Sequence, residues 1–213
     1  MIDGMSKNRM TPMQSGKTKT KRRPPGRPSR AHERRAAILD AYIQLIATQG
    51  SPTVSMGEIA QRAGVARTAI SHFVGDRNAL RKATIRELTR RYEGAIREAV
   101  GPDPTPAHIV HLLFSPAWTT QRSAEDRAFD LLQASASQHA ETREAIRASY
   151  NLLIDALGVA IVRHSEATEE RATAIAYSIV CMAETNTVLL DVGFPEERSR
   201  DASALARAML PAT

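Results

Sequence analysis

Between Ser55 and Phe73 the chain holds a helix-start signal, two short apolar faces and a single glycine between them. Ser55 and Glu58 have the S-x-x-E spacing of a capping box, in which each side chain satisfies a backbone amide of the other. Ile59, Ala60 and Ala63 form the inner face of the helix that follows, and Gly64 ends it and permits a tight turn. A second short helix is expected from about residue 66 to 73, with Val65, Ala69, Ile70 and Phe73 inward and Arg67, Thr68, Ser71 and His72 outward. Two short helices around a glycine turn make a helix-turn-helix. The first helix braces the second, whose outward side chains are then free to enter a DNA major groove. None of the four outward residues is acidic, and all can donate hydrogen bonds to phosphates or base edges. An ordinary helical hairpin with a polar face fits the same spacing.

The flanks extend the helical reading in both directions. Ile38, Leu39, Tyr42, Leu45 and Ile46 recur on one face of a helix, with Gly50 and Pro52 as stop signals. Asp76 is placed to cap a long helix through about Val100, on which Leu80, Thr84, Leu88 and Tyr92 repeat every four residues. Gly101-Pro102-Asp103-Pro104 breaks the chain. Beyond it helices are expected at about 106–118 (bent at Ser115-Pro116), 123–138, 141–164, 167–191 and 197–210. No strand-like alternation persists, so the chain reads all-α: residues 1–30 as a disordered basic arm, 31–78 as a helix-turn-helix DNA-binding domain, and 79–213 as an all-helical domain for ligand binding and dimerisation.

Charge divides the chain in the same places. The net charge is +6. Residues 1–30 carry nine Lys or Arg against one acid, Asp3; residues 31–100 carry eleven against seven; residues 101–213 carry nine against fifteen. A basic front and an acidic back point to a polyanion at the N-terminal end only, although a solubilising tail has the same charge. Within the arm, Arg22, Arg23 and Arg27 surround Pro24, Pro25, Gly26 and Pro28. An extended arginine segment of this kind suits the narrow minor groove of AT-rich DNA, and the Gly-Arg-Pro core resembles an AT-hook. A cationic tail that touches only phosphates remains the alternative.

The run from Thr53 to Leu80, TVSMGEIAQRAGVARTAISHFVGDRNAL, resembles the DNA-binding domain of TetR-type bacterial transcriptional regulators. The resemblance is carried by Thr53-Val54, Ile59-Ala60, Ala63-Gly64-Val65, Phe73, the Gly75-Asp76-Arg77 turn and Leu80, and covers roughly residues 34–82. It implies that Thr53 and Ser55 touch phosphate, that Arg67, Thr68, Ser71 and His72 face the major groove, and that Arg77 contacts the backbone where the family usually has lysine. Arginine suits that role, because a planar guanidinium binds phosphate in a bidentate manner. The sequence departs from the family at Ala66, where a serine cap is usual and alanine cannot cap, and at Ser71, where a tyrosine is common. The resemblance also implies that the last two helices, within residues 167–210, pair across a two-fold axis as a four-helix bundle. The dimer then matches a palindromic operator.

In the back half, Ala172, Ala176, Val180, Ala183 and Thr187 form one stripe of the helix at 167–191, and Ile175, Ile179, Met182, Asn186 and Leu189 another. A helix apolar on two faces lies between two layers. Phe114, Trp118, Phe129, Tyr150 and Tyr177 hold most of the large side chains of this half. They are expected either to form core or to line a cavity for a mostly apolar, neutral or cationic effector, with His111, Asn186 and Thr187 as its polar groups. His108 and His111 have an i, i+3 spacing but lack the further ligands a metal requires. Cys181, the one cysteine, reads as a small buried residue. There is no nucleophile motif, phosphate-binding glycine loop or dinucleotide fingerprint, so no cofactor, metal or catalytic residue is expected and the chain does not read as an enzyme. The nearly apolar run Ala174–Ala183 is too short for a bilayer, and no apolar segment follows the N-terminal charges, so the protein is expected in the cytoplasm without a membrane partner. These features together lead us to expect a ligand-responsive transcriptional regulator, a repressor, that binds double-stranded operator DNA as a homodimer. The alternatives are a ligand-independent architectural DNA-binding protein and an α-helical enzyme with a basic tail.

Overall fold

A computed structural model describes residues 30–134 and 139–212. Among these residues the secondary structure is helical throughout, without strands. The order is α1 (Arg30–Gln49), α2 (Met56–Arg62), α3 (Arg67–Phe73), α4 (Arg77–Val100), α5 (Pro106–Leu113), α6 (Pro116–Thr119), α7 (Ala124–Gln133), α8 (Ala140–His164), α9 (Glu169–Asp191) and α10 (Glu196–Ala208). The helix expected at 106–118 is therefore two: Leu113 ends α5, and Pro116 takes the first position of α6, where its missing N–H is harmless. The helix expected to reach residue 138 ends at Gln133.

Two apolar cores organise the molecule. In the first, Ile38, Leu39, Tyr42, Ile43 and Ile46 of α1 meet Ile59 of α2, Ile70 of α3 and Leu80, Ile85 and Leu88 of α4. In the second, Ile96 of α4 joins Ile109 and Leu113 of α5, Leu153, Leu157 and Ile161 of α8, Ile175, Ile179 and Val180 of α9, and Ala206 of α10. The long α4 runs from one core into the other. The first core does not end where a boundary at residue 78 would put it. Ala128, Phe129 and Leu132 of α7 and Ile146 of α8 pack into it, so α7 touches the front of the chain from the back half.

The stripe Ala172, Ala176, Val180, Ala183 and Thr187 of α9 is buried as expected, whereas in the second stripe Ile175, Ile179 and Asn186 are buried, Met182 is half-buried and Leu189 is exposed. Its third face is open, carrying Tyr177, Val188 and Val192. Cys181 lies on this exposed side rather than in the core, because it is one helical turn after Tyr177 on the outward face. The α8 and α9 helices are each long and apolar enough to cross a membrane by length and composition, with mean hydropathy 1.5 and 1.3. The run Ala174–Ala183 is thus part of a longer apolar helix, and the inward faces of both helices fill the second core.

Candidate nucleic-acid interface and cavity

The α2–α3 pair is held in shape by local chemistry. Ser55 Oγ accepts from the Glu58 amide at 3.1 Å, and Glu58 Oε2 accepts from the Ser55 amide at 2.9 Å. The Glu58 carboxyl is held below its usual range by the Ser55 hydroxyl and amide and then by Gln49, whose Nε2 donates to Oε1 at 3.0 Å and ties α2 to the end of α1. The Ser55 hydroxyl thus both accepts from the Glu58 amide and donates toward the Glu58 carboxylate, which fixes its orientation at the start of α2. Gly64 takes φ +64° in the turn, a conformation that L side chains rarely adopt. At Gly75, φ is +111° and an added Cβ would stand 2.9 Å from Ala79 Cβ, so glycine is needed there on both counts.

Ile70 is buried and anchors α3, and Arg35 Nη1 of α1 donates to the Phe73 carbonyl at 2.8 Å at its far end. Helix α3 begins without a side-chain cap at Ala66. Arg67, Thr68, Ser71 and His72 are all exposed, and the His72 ring stands edge-on to Phe73 with centroids 4.8 Å apart. Thr53, Ser55 and Arg77 are exposed near the start of α2. There Arg77 Nη1 donates to the Val54 carbonyl at 2.7 Å, so this guanidinium also braces the turn. A guanidinium carries five N–H donors, so one side chain can serve both roles. Arg22, Arg23 and Arg27 lie outside the described residues.

Among the back-half helices, α4 to α9 enclose a cavity of about 220 Å³. Four of the aromatic and polar residues expected at a ligand site line it: Trp118, Phe129, Tyr150 and Thr187. The other four do not. His111 and Phe114 line a separate cleft with Leu190 and Arg200, because they lie on the side of α5 away from the cavity. Tyr177 is exposed on the outer face of α9. Asn186 is buried, but its Nδ2 donates to Ser199 Oγ of α10 at 3.0 Å, so its polarity is used to dock α10. A tryptophan at Ala183 or Asn186 would therefore disturb the packing of α9 rather than fill the cavity.

Sequence reasoning missed Tyr92, Arg122, Asp130 and Glu184, which complete the cavity wall. Tyr92 stacks on Phe129 with centroids 5.1 Å apart and meets Trp118 at 5.7 Å. Arg122 and Asp130 pair through two contacts, Nη1 to Oδ2 at 2.7 Å and Nη2 to Oδ1 at 3.1 Å. The Tyr150 hydroxyl lies 3.0 Å from both Gln133 Oε1 and Glu184 Oε2. It has one proton, and the carboxylate is the stronger acceptor. Burial pushes the Glu184 carboxyl above its usual range. One signal for Glu184 was available: it is the sole charged residue between Arg171 and Asp191 on an otherwise apolar helix.

A family model described as bacterial regulatory proteins of the tetR family matches residues 38–88. The chain is 34% identical over 118 residues to the HTH-type transcriptional regulator BetI of Agrobacterium fabrum, covering 53% of this chain and 56% of that one. It is 28% identical over 116 residues to BetI of Brucella anthropi, covering 54% and 60%. The chain thus spans about half the length of these curated relatives. A transcriptional regulator from Rhodococcus sp. Rha1 shares the fold across 83% of this chain and 95% of that one, with a TM-score of 0.67 at 18% identity. The matched stretch holds the capped α2, the Gly64 turn and the exposed face of α3, and over these residues the chain is similar to the TetR family of bacterial regulatory proteins.

Proposed function

We propose that the protein is a ligand-responsive repressor that binds palindromic operator DNA as a homodimer and releases it when a small, mostly apolar molecule fills the cavity. The observation that carries this reading is the outward face of α3, where Arg67, Thr68, Ser71 and His72 stand exposed on a helix anchored by the buried Ile70. Side chains so placed can reach base edges, with Thr53, Ser55 and Arg77 beside them for phosphate. The basic arm with Arg22, Arg23 and Arg27 adds charge at the same end of the chain. Two copies are supported by an uncovered apolar surface: Tyr177, Val188 and Val192 of α9, Phe194, and Leu205 and Met209 of α10. Apolar patches rimmed by polar residues mark interfaces, and a two-fold pair of heads reads a palindrome.

The route from cavity to head runs through α7. Phe129 lines the cavity and is also part of the first core, so an occupant that displaces it changes the packing of the DNA-binding helices. An occupant that prefers the DNA-incompetent arrangement weakens DNA binding by the same factor by which DNA weakens its own binding. Trp118, Phe129, Tyr150 and Thr187 are the residues proposed to touch it.

Footprinting of the purified protein on the DNA flanking its own gene tests this reading. The expected result is a short protected palindrome. A broad footprint that follows DNA shape would instead make the protein architectural, and absence of binding at any length or salt would overturn the DNA-binding assignment.

A further inference from the structure

We propose that the cavity selects a small organic cation, an amine or quaternary ammonium with apolar substituents, and that Glu184 is its counter-ion. This proposal rests on the effector reading above and names the ligand class. Its first support is the charge of the wall. Asp126, Asp130 and Glu184 face one cation, Arg122. Two of these acids are already satisfied: Asp130 pairs with Arg122, and Asp126 Oδ2 accepts from the Ser123 amide and hydroxyl at 2.8 Å in the cap of α7. Glu184 differs. It is partly buried, and the donors that reach it, Tyr150 and Trp118, are neutral. Among the described residues, none of the ion pairs includes it. The nearest cation, Arg122, acts on Glu184 only through space and is already paired with Asp130; a carboxylate withdrawn from water with no cation of its own is unfavourable, and a bound cation supplies one.

The second support is independent of charge. Tyr92, Trp118, Phe129 and Tyr150 all line this one cavity, in a chain with only 4% aromatic residues. Aromatic faces attract a positive charge through the ring quadrupole, most strongly where water is excluded. The volume, about 220 Å³, is below the roughly 300 Å³ at which ligand pockets usually begin, which restricts the occupant to a compact molecule. The opposite polarity, an anion on Arg122, has one observation in its favour: the buried Nε has no partner. Against it, Asp130 already holds two other N–H groups of that guanidinium, and a second carboxylate faces the same space.

Trp118 is the one tryptophan in the chain, so its fluorescence in the full-length protein reports occupancy directly. Three probes of similar size separate the possibilities: benzyltrimethylammonium, its uncharged isostere neopentylbenzene, and phenylacetate. The cation is expected to bind roughly tenfold or more tighter than the isostere, with phenylacetate weakest. In Glu184→Gln, which keeps the shape and an acceptor for Tyr150, the cation and the isostere should bind alike, and circular dichroism should show an unchanged helical fold. If the isostere binds as tightly as the cation in the wild type, or if the preference persists in Glu184→Gln, the cation assignment is overturned while the effector cavity stands. Tightest binding of phenylacetate would transfer the anchor to Arg122. If Glu184→Gln does not fold, Glu184→Met, uncharged and of similar volume, replaces it, and an undiminished preference there would overturn a counter-ion at this position. No response to any of the three probes would overturn both the ligand class and the cavity as the effector site.

Discussion

Arg67 and His72 illustrate what one residue contributes when its backbone is already positioned. Both are exposed, so the fold should tolerate their loss. Replacing either by alanine should weaken binding to the cognate site by about 1–3 kcal/mol if the lost contact reads a base. Titration against operator and random DNA checks this, and an equal loss on both would show a phosphate contact instead. Ala66 is a residue whose side chain is too short for its place. It sits at the N-cap of α3 with φ −67° and ψ 146°, the extended geometry of a cap, but without a side-chain hydrogen bond. Ala66→Ser should add roughly 0.5–1 kcal/mol to unfolding free energy, read from chemical denaturation. The gain is placed at the low end because the Ala69 amide already bonds the Ala66 carbonyl at 2.9 Å.

At the scale of elements, one guanidinium joins three helices. Arg91 of α4 meets Asp40 of α1 at 2.6 Å, Glu87 of its own helix at 2.7 Å and Glu125 of α7 at 2.6 Å. The α7 helix thus reaches α1 through an ionic contact as well as through Phe129 and Leu132. Isolated surface pairs contribute little, but a shared cation fixes the geometry of all three partners. The Glu87 carboxyl is lowered from 4.5 to about 2, chiefly by Arg90 and also by Arg91. A carboxyl depressed by folding stabilises the protein above its unfolded value, and that contribution is lost as pH falls toward the folded value. Stability of the wild type should therefore decline between about pH 4.5 and pH 2 in part through Glu87. Glu87→Gln should be less stable than wild type at neutral pH and lose less over that interval. Melting temperatures measured across the interval check both signs, and parallel curves would remove Glu87 from the account.

For the whole molecule, the deciding feature is an apolar surface that one copy leaves uncovered. Leu205 is 63% exposed and Val192 68%. Leu205→Asp is harmless on a solvated helix but puts an unpaired charge into a two-fold interface. Sedimentation of this variant should show monomer with its helical content intact, and a stable dimer would move the interface to other helices. The arm acts at the same scale. Deleting residues 1–30 removes nine basic side chains, so it should weaken DNA binding and flatten its salt dependence while the preferred palindrome survives. An unchanged salt slope would take the arm off the phosphates.

The front of the chain was legible because its signals are local. A capping box, a glycine at positive φ and a cap at Asp76 each act within four residues, and the structure has all three where the spacing puts them. The periodicity of α1, α4, α8 and α9 was legible for the same reason: a helix face is a property of consecutive residues. Which of those faces meets which could not be read from spacing. His111 and Trp118 are separated by one turn at Phe114-Ser115, and that turn sends them to different cavities. Asn186 and Thr187 are neighbours in sequence, but one docks α10 while the other faces the cavity. Cys181 looks like a core residue on an apolar helix until the arrangement of α8 and α10 leaves its side open. Local hydrogen bonding and periodicity were determined by the sequence alone. The cavity, the buried Glu184 carboxyl in its wall and the bare face of α9 were decided only by tertiary packing, because each depends on residues far apart in the chain that backbone periodicity does not bring together.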